Sequence, residues 1–255
     1  MRFVFMWRVC HGNGRYRLFA PLTGTPTMGT LQEKTMRLSI LLFDGFTALD
    51  VVGGYEVLVN IPGMEVEFVS DQVGLVASDS GRLGMAAYRR FDQLDATDIL
   101  YVPGGPGVAA ALGNAALMDC VRRLHASSAW TVSICNGAEI LGAAGLLKGK
   151  KVTTNWFARE QLAACGALVG TERYQRDGKL ITGAGVSASI DAGLFLAALL
   201  GGEQLARTIQ LGIEYYPAPP FGNGTPDDQP QAAKDVIRHV EQCAAARLAA
   251  RVIPF

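Results

Sequence analysis

Residues 130–147, WTVSICNGAEILGAAGLL, decide the fold, because the pattern changes there within one residue from strand to helix. The first five residues are apolar or favour strands, and the last twelve are mostly small or apolar residues that suit a packed helix. Cys135 stands at the junction. A side chain at a sharp strand-to-helix turn projects from the edge of a sheet, beside the first amides of the helix. The stretch therefore predicts an α/β unit that presents a thiol.

Strand and helix patterns alternate on both sides of this stretch. RLSILLF, from Arg37, and DILYV, from Asp98, are apolar runs of the kind that is buried on both faces of a parallel sheet. A turn and a helical pattern follow the first run, and the glycine-rich PGGPG of residues 103–107 follows the second. We find no internal repeat and no interdomain linker. The chain is therefore predicted to fold as an α/β three-layer sandwich, with a mostly parallel sheet between helices.

The predicted domain covers residues 37–255 and ends in an amphipathic helix. Residues 1–36 precede the first strand, and their apolar residues are interrupted by Arg2 and Arg8. No small-residue cleavage site follows an apolar core, so the segment matches neither a signal peptide nor a transit peptide. We interpret residues 1–36 as an N-terminal extension that need not be ordered.

The composition excludes several functional classes. The 255 residues are 49% hydrophobic, and 23 basic residues balance 23 acidic ones, so the formal net charge is zero. The sequence has no basic nucleic-acid footprint and no polybasic membrane anchor, and no apolar run reaches the length of a spanning helix. We therefore expect a partner that is a small molecule, and neither a nucleic acid nor a membrane.

Cysteine usage indicates a reducing compartment. No two of the five cysteines form a CxxC pair: Cys10, Cys120, Cys135, Cys165 and Cys243. A disulfide framework and a zinc site are therefore not expected, and a cytoplasmic location fits. Cys120, Cys165 and Cys243 lie in helical patterns and are interpreted as buried packing residues.

Two interpretations of Cys135 are open. Free cysteine is among the most buried residue types, so the thiol is either a small core residue or a nucleophile. The position at the strand-to-helix turn favours the nucleophile, and the amides of the next helix predict a lowered pKa and a thiolate. Gly137 would let this turn approach neighbouring backbone.

Histidines do not supply an obvious base. The chain has His11 in the extension, His125 at the amino side of WTVSI and His239 in the last helix. All three are predicted to be surface residues, so a Cys-His triad of the usual kind is disfavoured. Proton transfer must then come from another group.

Asp50 is the best candidate for that group. It stands in the first turn of a helix, directly after the first strand, among apolar neighbours. Such burial raises a carboxyl pKa and suits the group to general acid–base work. The alternative is a charge that only complements the helix dipole. Asp44 is interpreted as an exposed turn residue, and Glu139 as a surface or supporting residue.

The PGGPG turn after DILYV would lie at an adjacent strand end. The N–H groups of Gly104 and Gly105 could there donate to an anion that develops on a substrate. An ordinary strand-to-helix turn is the alternative, and the GxxxxGK[ST] pattern of a phosphate loop is absent.

These pieces together resemble the ThiJ/PfpI superfamily, which shares the class I glutamine-amidotransferase-like, flavodoxin-like fold. The similar segments are SILLFDGFTALDVVG, ILYVPGGPG and SICNGAEILGAAGLLKGKKVTTNW, and the resemblance covers residues 37–249. ITGAGVSASIDAGL and LGIEYYPAPPFGNGTPD further resemble the isonitrile hydratase branch of that superfamily.

This resemblance implies a lyase that converts an isonitrile and water into an N-substituted formamide through a cysteine thioimidate. Cys135 matches the nucleophile, Asp50 the acidic residue, and Gly104 and Gly105 the PGG loop. The resemblance also implies a homodimer that uses no metal and no organic cofactor.

Two residues depart from the family pattern. Asn136 stands where the family has threonine after the cysteine, and Asn155 replaces the histidine of a TTHW motif. An amide donates and accepts hydrogen bonds but cannot rotate a hydroxyl proton between partners. We predict that Asn136 is a catalytic residue that steers the attacking water together with the Asp50 carboxylate.

Other functions stay open at the level of sequence. The superfamily includes glyoxalases or deglycases that act on α-oxoaldehydes, and small amidases. A ligand-sensing domain of an AraC-type regulator is a second class, although only one helix follows the PAPPF loop here. A redox sensor that oxidises Cys135 is a third.

Overall fold

The computed structural model describes residues 35–222 and 224–250, so most of the predicted extension lies outside the described residues. Within these ranges the strands are β1 (Met36–Leu41), β2 (Met64–Ser70), β3 (Gly74–Ala77), β4 (Gly84–Ala87), β5 (Arg89–Arg90), β6 (Ile99–Val102), β7 (Trp130–Ile134), β8 (Lys151–Val152), β9 (Leu168–Val169), β10 (Tyr174–Asp177) and β11 (Leu180–Gly183). The α-helices are α1 (Ala48–Leu58), α2 (Val108–Ala111), α3 (Ala115–Ser127), α4 (Gly137–Ala143), α5 (Arg159–Ala164), α6 (Ala188–Gly201), α7 (Glu203–Gly212) and α8 (Gln231–Ala250).

In the described part of the chain, seven strands form the central sheet, in the order β10-β11-β7-β6-β1-β2-β5. Neighbouring strands in it are parallel except β10 and β11. The central strand β6 is buried throughout, and β7 is buried after its first residue, as their apolar runs predicted. β3 and β4 form a separate antiparallel hairpin, and β8 and β9 a short parallel pair.

Helices cover the sheet in two groups. α6 packs against both α1 and α7, and α4 packs against α2, α3 and α5. The α1–α6 contact is close because Gly53 faces Ser189 and Gly193 faces Val57. This arrangement confirms the predicted α/β sandwich, with a mostly parallel sheet flanked by helices.

The order of the strands places a crevice beside β1. After β1 the chain moves to β2 on one side, and it later returns to β6 on the other side and continues to β7. Ligands of open α/β sheets bind at the carboxyl ends of the strands where the order reverses in this way. The segments that follow β1, β6 and β7 therefore meet at one edge of the sheet.

Some local predictions need correction. The pattern of residues 156–166, WFAREQLAACG, predicts one helix. The segment instead forms a 3-10 turn over Trp156–Ala158 followed by α5, because the Asn155 side chain caps the turn at the Ala158 N–H. Cys120 is buried as predicted, whereas Cys165 is exposed at the end of α5 and Cys243 is partly exposed on α8. Within the described residues, no helix combines the length and the apolar character that a bilayer crossing needs.

Candidate active site

Cys135 forms a sharp turn between β7 and α4. Its φ is 57°, in the left-handed region that costs a non-glycine residue about 1–2 kcal/mol. The surrounding backbone holds this conformation: the Cys135 N–H donates to the carbonyl oxygens of Gly183 (3.2 Å) and Ala184 (2.8 Å). The Thr154 hydroxyl donates to the Cys135 carbonyl oxygen at 2.7 Å. The predicted strand-to-helix elbow is therefore present.

Two glycines let the neighbouring segments approach this turn. A Cβ added at Gly137 would lie 2.6 Å from the carbonyl oxygens of both Val102 and Pro103, at the end of β6. A Cβ at Gly104 would lie 2.4 Å from Asn136 Oδ1. Only glycine thus permits the observed contact between the start of α4 and the loop after β6.

The amides of the PGG loop bind protein groups. The Gly104 N–H donates to Asp50 Oδ2 at 2.7 Å, and the Gly105 N–H donates to Asn136 Oδ1 at 2.7 Å. Asn136 Nδ2 donates back to the Gly105 carbonyl oxygen at 3.2 Å. Both amides are engaged with protein groups in the chain without ligand, and their predicted role as donors to a substrate anion stays a prediction. In this structure Gly104 orients Asp50, and Gly105 orients Asn136.

Asp50 is fully buried in the first turn of α1. Burial raises the pKa of its carboxyl from 3.8 to about 8, against the lowering effect of the hydrogen bond from Gly104, and the charges of Asp79 and Glu241 raise it further. Oδ1 has no hydrogen-bond partner among the described residues. Because Oδ2 accepts the Gly104 N–H, Oδ1 is the oxygen left to carry a proton when the carboxyl is neutral.

The pKa of the Cys135 thiol is raised as well, which favours the neutral thiol. Burial, then the nearby carboxyls of Asp50 and Glu241, raise its pKa well above the ordinary value. Hydrogen bonds from the Asn136 N–H and from the Asn155 side chain lower the pKa, but they do not reverse the shift. The predicted thiolate is therefore corrected, because the sequence reveals the helix amides but not the depth of burial or the acidic neighbours.

Asn155 contacts the sulfur directly. Its Nδ2 donates to Cys135 Sγ at 3.0 Å, and its Oδ1 accepts the Ala158 N–H at 3.1 Å. The sequence identifies this residue only as a departure from the TTHW motif and does not place it in the site. That departure was itself the available signal, because it puts an amide at a motif position that the fold brings beside the thiol.

We expect Asn155→Asp to raise the thiol pKa further, by about one unit or more, because it removes the donor to sulfur and adds a negative charge. The variant keeps the oxygen that caps Ala158. The pH dependence of Cys135 alkylation by iodoacetamide, followed by peptide-resolved mass spectrometry, measures this shift. Gln161→Glu makes the same amide-to-acid change in a different cavity and should leave the profile unchanged. A wild-type profile for Asn155→Asp would contradict the expectation.

The remaining candidates lie away from the sulfur. His125 Nδ1 is 2.8 Å from the Thr131 hydroxyl, at the amino end of β7, and His239 lies on α8 with Nε2 3.5 Å from Cys243 Sγ. Asp44 is exposed, and Glu139 is half-buried in α4. His11 lies outside the described residues. Within the described part of the chain, no histidine is hydrogen-bonded to Cys135.

The thiol opens into a small cavity of about 200 Å³. Its walls combine the polar groups of Cys135, Asn136 and Asn155 with the apolar side chains of Val186 and Ile237. Pockets for drug-sized ligands measure about 300–1,000 Å³, so this cavity suits a smaller molecule. In the residues that the structure describes, no three His, Cys, Asp or Glu side chains cluster as metal ligands would.

Comparisons with known proteins agree with this geometry. The DJ-1/PfpI family model matches residues 36–199. An isonitrile hydratase from Pseudomonas putida is 38% identical over 203 residues, which cover 80% of this chain and 89% of that protein. A deglycase from Thermococcus kodakarensis is 29% identical over 134 residues, covering 52% of this chain and 80% of the deglycase.

A solved structure is similar over nearly the whole chain. A ThiJ/PfpI family protein from Pseudomonas syringae matches with a TM-score of 0.78 at 32% identity. The match covers 89% of this chain and 98% of that one. The predicted family and fold are thereby confirmed.

Proposed function

Because this chain belongs to the DJ-1/PfpI family, and its similarity supports the isonitrile hydratase branch, we propose that it hydrates an isonitrile to an N-substituted formamide. The observation that carries the proposal is a buried thiol in a small, partly apolar cavity, with the buried Asp50 carboxyl close enough to raise the thiol pKa. An isonitrile is uncharged and compact, and its terminal carbon must gain a proton as well as a nucleophile. Cys135 can supply the nucleophile, and Asp50 can supply the proton.

In the first step the Asp50 carboxyl gives its proton to the terminal carbon of the isonitrile. Cys135 Sγ forms a bond to the same carbon, and the thiol proton passes to the Asp50 carboxylate. The product is a thioimidate, R–N=CH–S–Cys, and Asp50 ends the step protonated again. This addition starts from a neutral thiol and a neutral acid, which the raised pKa values of Cys135 and Asp50 favour.

In the second step water adds to the thioimidate carbon. One proton of the water reaches the imidate nitrogen, the C–S bond breaks, and the other proton returns to sulfur. The products are R–NH–CHO and the free thiol, so atoms and charges balance. Asn136 lines the cavity with its amide oriented by Gly105, which supports its predicted role in positioning this water.

The test is product-resolved turnover of one alkyl and one aryl isonitrile by purified protein, beside Cys135→Ala. We expect formamide only when the thiol is present, together with an adduct of protein plus one isonitrile in rapid-quench mass spectrometry. Formamide at the same rate from folded Cys135→Ala would exclude the covalent route. No formamide from folded wild-type protein would reject the proposal, and turnover of α-oxoaldehydes would then support the deglycase alternative.

The homodimer implied by the family resemblance stays a prediction. α8 has no buried residue, and Val236 and Val240 on it are exposed, which fits an unpartnered surface in the single chain. Sedimentation of the full chain would measure the oligomeric state.

A further inference from the structure

The C-terminal helix α8 contributes a carboxyl group to the thiol cavity. Ile237 and Glu241, one helical turn apart, both line the cavity that contains Cys135. Arg238 between them stacks over the Trp156 ring, with 4.9 Å from its guanidinium carbon to the ring centroid. α8 therefore packs beside the cavity, and Glu241 belongs to the wall of the site.

Glu241 acts electrostatically on the reacting groups. Its charge raises the pKa of both Asp50 and Cys135. The carboxyl is half-buried, and burial followed by the charge of Asp79 raises its own pKa. In the described part of the chain no basic residue forms an ion pair with Glu241. Arg238 lines the neighbouring cavity together with Glu241 and pairs with Asp235.

The walls of the cavity offer nothing to balance that charge. Among the residues that the structure describes, no lysine, arginine or histidine lines it. Asp50 is mostly neutral at pH 7, since its pKa is about 8. Glu241 is thus the acidic side chain that lines this cavity, and Asp79, half-buried nearby, is acidic as well.

We propose that Glu241 makes the thiol cavity selective against anionic molecules, so that the substrates are isonitriles with uncharged or cationic substituents and not those that carry a carboxylate. The substrate class, isonitriles, rests on the proposed function, whereas the selection against anionic molecules does not. A carboxylate placed in a cavity of this size lies within several ångströms of Glu241, where the effective dielectric constant is well below that of water. We expect this repulsion to slow the reaction of an anionic molecule at Cys135 about tenfold relative to a neutral one.

The first test uses two alkylating agents that differ in charge. Iodoacetamide is neutral and iodoacetate is anionic, and peptide-resolved mass spectrometry reports the rate of each at Cys135 apart from the other cysteines. We expect Glu241→Gln to raise the iodoacetate rate about tenfold relative to the iodoacetamide rate, at a fixed, mildly alkaline pH. Glu160→Gln removes an equal charge at a neighbouring cavity and should leave the ratio unchanged.

Wild-type protein provides a measurement that needs no variant. Added salt should raise the iodoacetate rate relative to the iodoacetamide rate, because it screens the carboxylates at the cavity mouth. A ratio that neither salt nor Glu241→Gln changes, or that Glu160→Gln changes equally, would overturn the proposal.

The second test uses isonitriles themselves. We expect turnover of methyl isocyanoacetate to exceed that of isocyanoacetate, and Glu241→Gln to reduce the difference about tenfold. Equal discrimination by the variant and the wild type would contradict the role of Glu241. If neither isonitrile is turned over, the proposed function fails, while the alkylation ratio still decides whether Glu241 selects by charge.

Discussion

Replacing Asp50 with asparagine should lower kcat for formamide formation by about 10²–10⁴-fold, the range expected when a general acid is lost. Asparagine keeps an oxygen that can accept the Gly104 N–H, which now binds Oδ2 at 2.7 Å. It cannot deliver a proton to the isonitrile carbon or take one from the thiol. Steady-state kinetics beside Asp44→Asn, which changes an exposed aspartate in the turn before α1, separate this effect from a general loss of charge.

The same replacement should make the folded protein more stable at neutral pH. The pKa of Asp50 is raised from 3.8 to about 8 in the folded state. Between these values the unfolded chain loses the proton and the folded chain keeps it. The free energy of unfolding therefore falls as pH rises through that window, by up to about 1.4 kcal/mol per pH unit.

An asparagine at this position has no proton to lose, so Asp50→Asn should remove this part of the pH dependence. Denaturant unfolding at several values between about pH 5 and about pH 8 measures it. For activity, kcat/KM of the wild type should fall as pH rises above about 8, when Asp50 ionises. Full activity in Asp50→Asn, or an unchanged slope of stability with pH, would show that the carboxyl is not the proton donor described above.

Gly137→Ala should lower both stability and activity. The added Cβ would lie 2.6 Å from the carbonyl oxygens of Val102 and Pro103, which are backbone atoms and cannot rotate away. The start of α4 must then move relative to β6. Overpacking of this kind costs about 1–3 kcal/mol, and a shift of about 1 Å at a reacting group can cost about 10²-fold in rate.

Thermal unfolding and isonitrile turnover measure the two effects of Gly137→Ala. Gly212→Ala is the matched control, because Gly212 ends α7 with no described atom within 4 Å of the added Cβ. We expect that control to stay close to the wild type in both assays. Wild-type stability and turnover in Gly137→Ala would mean that the elbow tolerates a larger separation from β6.

The local patterns in the chain were sufficient for the fold and for the placement of two of the predicted site residues. Apolar runs such as RLSILLF predicted central strands, and the change of pattern at Cys135 predicted the elbow at which φ is 57°. The position of Asp50, after the first strand and among apolar neighbours, predicted its burial and its raised pKa. These properties depend on residues that are close together in the chain, so the sequence pattern alone is enough to predict them.

The state of the thiol was decided by tertiary structure. Helix amides favour a thiolate at the elbow, but burial and the carboxyls of Asp50 and Glu241 outweigh them. Those carboxyls come from α1 and α8, the first and the last of the described helices. The sequence of the elbow segment therefore cannot predict how close these two carboxyls lie to the Cys135 sulfur.

The partners of the polar groups were decided in the same way. The PGG amides bind Asp50 and Asn136, and Asn155 reaches Cys135 Sγ from the segment after β8. A sequence determines which groups can donate and accept, and where strands and helices begin. Which donor meets which acceptor depends on how those elements pack, because a hydrogen bond requires an approach of about 3 Å that only the folded chain sets.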